Sequence, residues 1–129
     1  MVELIKRREE IISEKLDTLI YVYHHHQPAF DELKQLVPDM KFTTNMFDID
    51  SLKFGKTLVI VDDKMDELSN KNEQKYITNY YIKGSHHESI SFITLLQNAF
   101  EPGLRKISLN SHYKVFFEQP SDYDTIRLI

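Results

Sequence analysis

Apolar residues in this chain gather into short continuous runs, separated by longer stretches in which they recur at helical spacing. Leu19–Tyr23, Thr57–Val61 and Ile90–Leu96 are dominated by β-branched and aromatic side chains, which predicts strands. Thr57–Val61 shows no apolar–polar alternation, so this strand is expected to be covered on both faces. Shorter strands are predicted at Lys41–Thr44 and Ile107–Leu109, with a longer one at Tyr113–Phe117. Helical spacing places Val2, Ile5, Ile12 and Leu16 on one side of residues 2–16. A second helix opens at Pro28, carries Phe30, Leu33, Leu36 and Val37 on one face and stops at Pro38. A third covers Asn72–Lys83, with Ile77, Tyr80 and Tyr81 as its apolar side and Gly84 as its stop. Phe47–Lys56 reads as a loop, and Ser121-Asp122-Tyr123-Asp124 as the capped start of a last helix.

Strands that alternate with helices imply βαβ units, hence an α/β fold with a mainly parallel sheet flanked by helices. In such sheets functional groups collect at the carboxyl ends of strands. Three predicted strand ends carry polar residues: His24–Gln27, Asp62–Asp63 and Gln97–Asn98. They are expected to meet on one edge. With no internal repeat, low-complexity tract or interdomain linker, residues 1–129 read as a single domain.

Composition narrows the classes. Apolar residues make up 41% of the chain, with eight Phe and seven Tyr, as in globular proteins. A net charge of −4 without an extended basic run gives no support for a broad nucleic-acid face. The absence of cysteine excludes disulfides and thiolate metal sites. Lys6, Arg7, Arg8, Glu9 and Glu10 interrupt the N-terminal apolar residues, so no signal peptide is read there. No segment approaches the roughly 18 apolar residues of a membrane span. An intracellular protein is expected, in the cytoplasm, in the nucleus or associated with a virus.

Thr57-Leu58-Val59-Ile60-Val61-Asp62-Asp63 is a buried-strand pattern that ends on two carboxylates. Turn chemistry alone accounts for Asp at a strand end. The same pattern is also that of Walker B in P-loop ATPases, where one carboxylate holds Mg²⁺ and the next prepares the attacking water. Its partner motif, G-x-x-x-x-G-K-[ST], does not occur, and Gly55, Gly84 and Gly103 are each isolated.

Further stretches accompany this strand in series. They are Tyr21-Val22-Tyr23 with Gln27-Pro28-Ala29-Phe30-Asp31-Glu32-Leu33, then Gly84-Ser85-His86-His87, Gln97-Asn98-Ala99-Phe100 and Ile107-Ser108-Leu109-Asn110-Ser111-His112-Tyr113. In this order and spacing the chain, from about Leu16 onward, resembles the FtsK–HerA-type ATPases of the DNA-packaging branch found in DNA viruses and virus-like transposable elements. The resemblance implies a P-loop NTPase (RecA-like, ASCE) core without its first strand and P-loop. It puts Asp62 at the Mg²⁺-holding position and Asp63 at the water-polarising position, which is Glu in most related ATPases. It also puts Gln97 at the γ-phosphate-sensing position and Arg105 where family members carry Arg. The intact protein is implied to use Mg²⁺ and ATP, to form a homo-oligomeric ring and to act on double-stranded DNA. This chain alone is expected to hold neither cofactor firmly, binding Mg²⁺ only weakly and ATP hardly at all, and to be unstable without the interior strand that leads into Walker A. After Phe117 the family's basic residue and its Arg after Pro are replaced by Glu118, Gln119 and, following Pro120, Ser121.

Other candidate chemistry is weaker. His24, His25, His26, His86, His87 and His112 invite a zinc reading. Consecutive strand residues point to opposite faces, however, so His24–His26 cannot all converge without a tight loop. Tyr76, Tyr80 and Tyr81 have the spacing of core or interface residues more than of a base-stacking platform. Lys6-Arg7-Arg8, followed at once by two Glu, reads as a solvated helix face. Two further functions remain open: a degenerate ATPase-like interaction module without catalysis, and a metal-dependent nuclease or phosphohydrolase.

Overall fold

The continuous apolar runs pair side by side. A computed structural model describes residues 2–11, 15–62, 71–84, 89–96 and 104–115. Within them β1 (Thr18–Val22), β2 (Lys41–Thr43), β3 (Thr57–Asp62) and β4 (Ile90–Leu95) form one sheet in the order β2-β1-β3-β4. Every pairing is parallel: Val22 lies opposite Thr43 and Val61, and Val61 opposite Thr94. All of β1 and the first five residues of β3 are buried, which explains why these two central strands lack alternation.

Successive side chains leave a strand on opposite faces, and this sorts the core into two halves. Leu19, Tyr21, Leu58 and Ile60 pack with Phe30 and Leu33 of α3 (Ala29–Leu36), with Ile5 of α1 (Val2–Lys6) and with Met40. Ile20, Val22, Val59 and Val61 face the other way. They meet Met46, Ile49 of α4 (Ile49–Leu52), Ile77 of α5 (Lys71–Asn79), Tyr80, and Ile107 of α6 (Leu104–Leu109). The two layers are called the α3 face and the α5 face below.

The connections share one hand. From β1 to β2 the chain steps one way and crosses by α3, on the first face. From β2 to β3 and from β3 to β4 it steps the opposite way and crosses by α4 and α5, on the second face. Reversing direction while changing face preserves handedness, as parallel crossovers require. The return from α4 into β3 turns at Gly55, whose φ of +59° suits glycine. A Cβ there would also lie 2.3 Å from Asp17 Oδ2, the atom that accepts the Lys56 amide.

Several predicted elements change. Ile107–Leu109 belongs to α6 and is not a strand; the helix seats Ile107 in the α5-face core, and so short an apolar run does not discriminate the two. Phe47–Lys56 is not all loop. Asn45 accepts the Phe47 amide and caps a 3-10 turn, Met46–Asp48, that runs into α4. Residues 2–11 form α1 and a separate α2 (Arg8–Ile11), broken at Arg7. The third helix passes after Asn79 into a π-helical turn, Tyr80–Gly84. Tyr113–Val115 is not in a strand, while Phe116–Phe117 and Ser121–Asp124 lie outside the described residues. Among the described residues no helix is long and apolar enough to cross a membrane.

Candidate functional site

Asp62 is the last residue of β3, and its place follows from period two. Leu58 and Ile60 enter the α3-face core, so Asp62 leaves the strand on that same face, at the carboxyl edge of the sheet. Tyr21 of β1 pairs with Ile60 and points to the same layer. Its ring is long enough to reach diagonally toward the strand end. The hydroxyl donates to Asp62 Oδ2 at 2.6 Å. Gln27 Nε2 donates to the same oxygen at 3.3 Å from the loop between β1 and α3. Among the described residues nothing donates to Oδ1, and no cation pairs with this carboxylate.

Aromatic packing fixes the donor. Phe30 sits 4.9 Å from the Tyr21 ring, 4.9 Å from Tyr23 and 5.1 Å from Phe42, in edge-on or tilted contacts. Burial first, then the hydrogen bond and charge of Asp62, push the Tyr21 hydroxyl well above its ordinary pKa. It therefore stays a protonated donor at any physiological pH. Buried tyrosines need a partner for the hydroxyl, and this requirement is the signal that links Tyr21 to a polar strand end. Read from the sequence alone, Tyr21 is only one member of an apolar run.

Of the three polar strand ends, the structure brings two together. The His24–Gln27 loop adjoins Asp62 through Gln27. Gln97–Asn98, with Gln97 as a candidate catalytic residue, lies outside the described residues, as does Asp63. Arg105 is exposed on α6, which packs on the α5 face, opposite the face from which Asp62 projects. No hydrogen bond or ion pair joins Arg105 to Asp62. His24 and His25 are exposed with ring centroids 4.5 Å apart, and His26 rests on Phe30 at 5.2 Å. Among the described residues no group of three His, Asp or Glu side chains is placed to hold a metal ion. Asp62 would contribute one protein oxygen to a cation completed by substrate and water, as Mg²⁺ sites in nucleotide enzymes are.

A second carboxylate is held on the opposite face. Asp50 of α4 accepts the Tyr76 hydroxyl at 2.5 Å and the Tyr80 hydroxyl, and Lys53 Nζ lies 3.3 Å away. Burial opposes its ionisation, but the bonds from Tyr76, Tyr80 and Lys53 outweigh this and hold the carboxyl below its usual pKa. The tyrosines answer in kind: burial, then the Asp50 bond, raises both. Tyr81 bonds Thr94 of β4. All three tyrosines thus serve packing between elements, as their spacing predicts.

No protein-family model, curated protein or solved structure matches this chain. The site's meaning rests on its own geometry and on the sequence motifs.

Proposed function

We propose that residues 1–129 are the Walker B part of an FtsK–HerA-type ATPase that moves or packages double-stranded DNA as a homo-oligomeric ring. The supporting observation is Asp62: a carboxylate on a central parallel strand, at its carboxyl edge, gripped through one oxygen by Tyr21 and Gln27. Its other oxygen is engaged by no described residue. Asp62 would hold Mg²⁺ through that oxygen or a bound water, Asp63 would orient the attacking water, and Gln97 would report the γ-phosphate. Arg105, exposed on the opposite face, suits a role toward a neighbouring subunit better than one at its own Asp62. The phosphate cradle would come from a Gly-rich loop outside these residues.

Joining these residues to the polypeptide encoded upstream tests the reading. The joined protein should hydrolyse ATP with Mg²⁺, and Asp62→Asn should lower kcat by roughly a hundredfold or more, as removal of a charge-stabilising group does. An ATPase indifferent to Asp62→Asn would sink it. A second reading is favoured by the isolated glycines of these 129 residues: an ATPase-like module kept for interaction. It predicts co-purification with an intact ATPase ring without turnover dependent on Asp62.

A further inference from the structure

The two oxygens of Asp62 are unequally engaged. A carboxylate offers about four acceptor positions, shared evenly between its oxygens. Both positions on Oδ2 are filled, by the Tyr21 hydroxyl at 2.6 Å and by Gln27 Nε2 at 3.3 Å. Oδ1 meets no donor among the described residues.

The two donors are held with different firmness. Tyr21 is 2% exposed, with Phe30 edge-on at 4.9 Å and Phe42 tilted at 5.7 Å, so its ring has little room to swing. The register of β1 and β3 sets it opposite Ile60, whose side chain leaves β3 on the same face as that of Asp62. Gln27 stands on the exposed loop between β1 and α3 and makes the longer bond.

This occupancy sorts cations by how they use a carboxylate. Mg²⁺ demands a near-octahedral shell at short range, whereas Ca²⁺ accepts about six to eight oxygens and takes a carboxylate through one or both. The two oxygens of one carboxylate lie too close together to fill neighbouring octahedral corners, so Mg²⁺ is served by one of them. One is what Asp62 presents. A cation that engaged both would have to displace the Tyr21 hydroxyl, which bonds no other described residue.

We infer that Tyr21, assisted by Gln27, is a specificity-determining positioning residue: it keeps Asp62 a one-oxygen ligand and so favours Mg²⁺ over Ca²⁺. The inference rests on the reading of Asp62 as the Mg²⁺-holding carboxylate and names the neighbours that set its choice of metal. Neither Tyr21 nor Gln27 touches the cation.

Mg²⁺ and Ca²⁺ titrations of the ¹⁵N-labelled chain, followed through the amide shifts of Tyr21, Gln27 and Val61, test it without nucleotide or turnover. Asp62→Ala supplies the background to subtract. In Tyr21→Phe, which keeps the ring, Ca²⁺ affinity should rise relative to Mg²⁺ by roughly fivefold, the equilibrium equivalent of one net hydrogen bond. Gln27→Ala alters an exposed side chain, so it reports even if Tyr21→Phe folds poorly, and it should move the ratio the same way by less. A ratio unchanged in both variants would overturn the inference. So would equal losses for the two cations, the pattern of mere structural support, or binding that does not depend on Asp62. An ATPase in the joined protein that ignores Asp62→Asn is a separate failure, that of the proposed function itself.

Discussion

Each face of the sheet carries a carboxylate gripped by tyrosine, and the two grips are completed differently. Asp50, on the α5 face, takes two hydroxyls and has Lys53 beside it, so its charge is answered within the fold. Asp62, on the α3 face, takes one hydroxyl and one amide and pairs with no cation among the described residues. The first arrangement ties α4 to α5 and the π-helical turn. The second leaves negative charge at the carboxyl edge of a parallel sheet, where ligands of such folds bind. A tyrosine–carboxylate pair is thus no sign of function by itself; what completes the charge separates the tie at Asp50 from the proposed site at Asp62.

The largest expected effect breaks the α3 side. Phe30 is buried and packs on Tyr21, Tyr23 and Phe42. Phe30→Ala should cost about 3–5 kcal/mol by urea denaturation, and a loss under about 1 kcal/mol would mean that these rings do not hold Tyr21. Asp50→Ala comes next, at about 1–3 kcal/mol, because it removes the acceptor of two tyrosine hydroxyls. Asp62→Ala should cost less, since it removes the acceptor of only one short hydrogen bond, that of the Tyr21 hydroxyl. The reverse order would contradict the assignment of tie and site.

Acid should show the same asymmetry. Asp50 has a depressed pKa in the folded state, so its contribution is fully present above its unfolded value of 3.8 and is lost as pH falls through the lower folded value. Stability profiles from pH 6 downward should accordingly converge for the natural chain and Asp50→Ala only below about pH 3.8. Profiles that run parallel throughout would deny the depressed pKa. Tyr21→Phe keeps the ring and removes one hydrogen bond, so about 1 kcal/mol is expected, with the loss absent in an Asp62→Ala background. The smallest effect belongs to the exposed Lys6–Glu32 pair, 3.2 Å apart between α1 and α3. Lys6→Ala should change stability by less than about 1 kcal/mol, and by still less at high salt.

The sheet was legible because its signals are strong and local. Leu58–Val61 is apolar at every position, and Pro28 and Pro38 bracket α3 as their backbone limits demand. Where the chain misled, tertiary contact decided. Ile107–Leu109 is too short for periodicity to separate helix from strand, and only its seat beside Ile77 and Tyr80 favours the helix. Met46–Leu52 hides its helical turns because Asn45 starts them and apolar contacts at Met46 and Ile49, not propensity, sustain them. For the site, the strand-ending Asp62 was readable, and so was its nearness to the His24–Gln27 loop. The Tyr21 bond was not, because it depends on which face two strands share and in what register. Asp63 and Gln97 lie outside the described residues.

The most direct measurement is a Mn²⁺ titration of the ¹⁵N-labelled chain, with Mn²⁺ standing in for Mg²⁺ and amide broadening as the readout. An open Asp62 and an internally answered Asp50 predict that Tyr21, Gln27 and Val61 broaden first and that Asp62→Ala abolishes this, while amides around Asp50 and Tyr76 stay sharp. Broadening that begins around Asp50, or that spares the end of β3, would contradict the account.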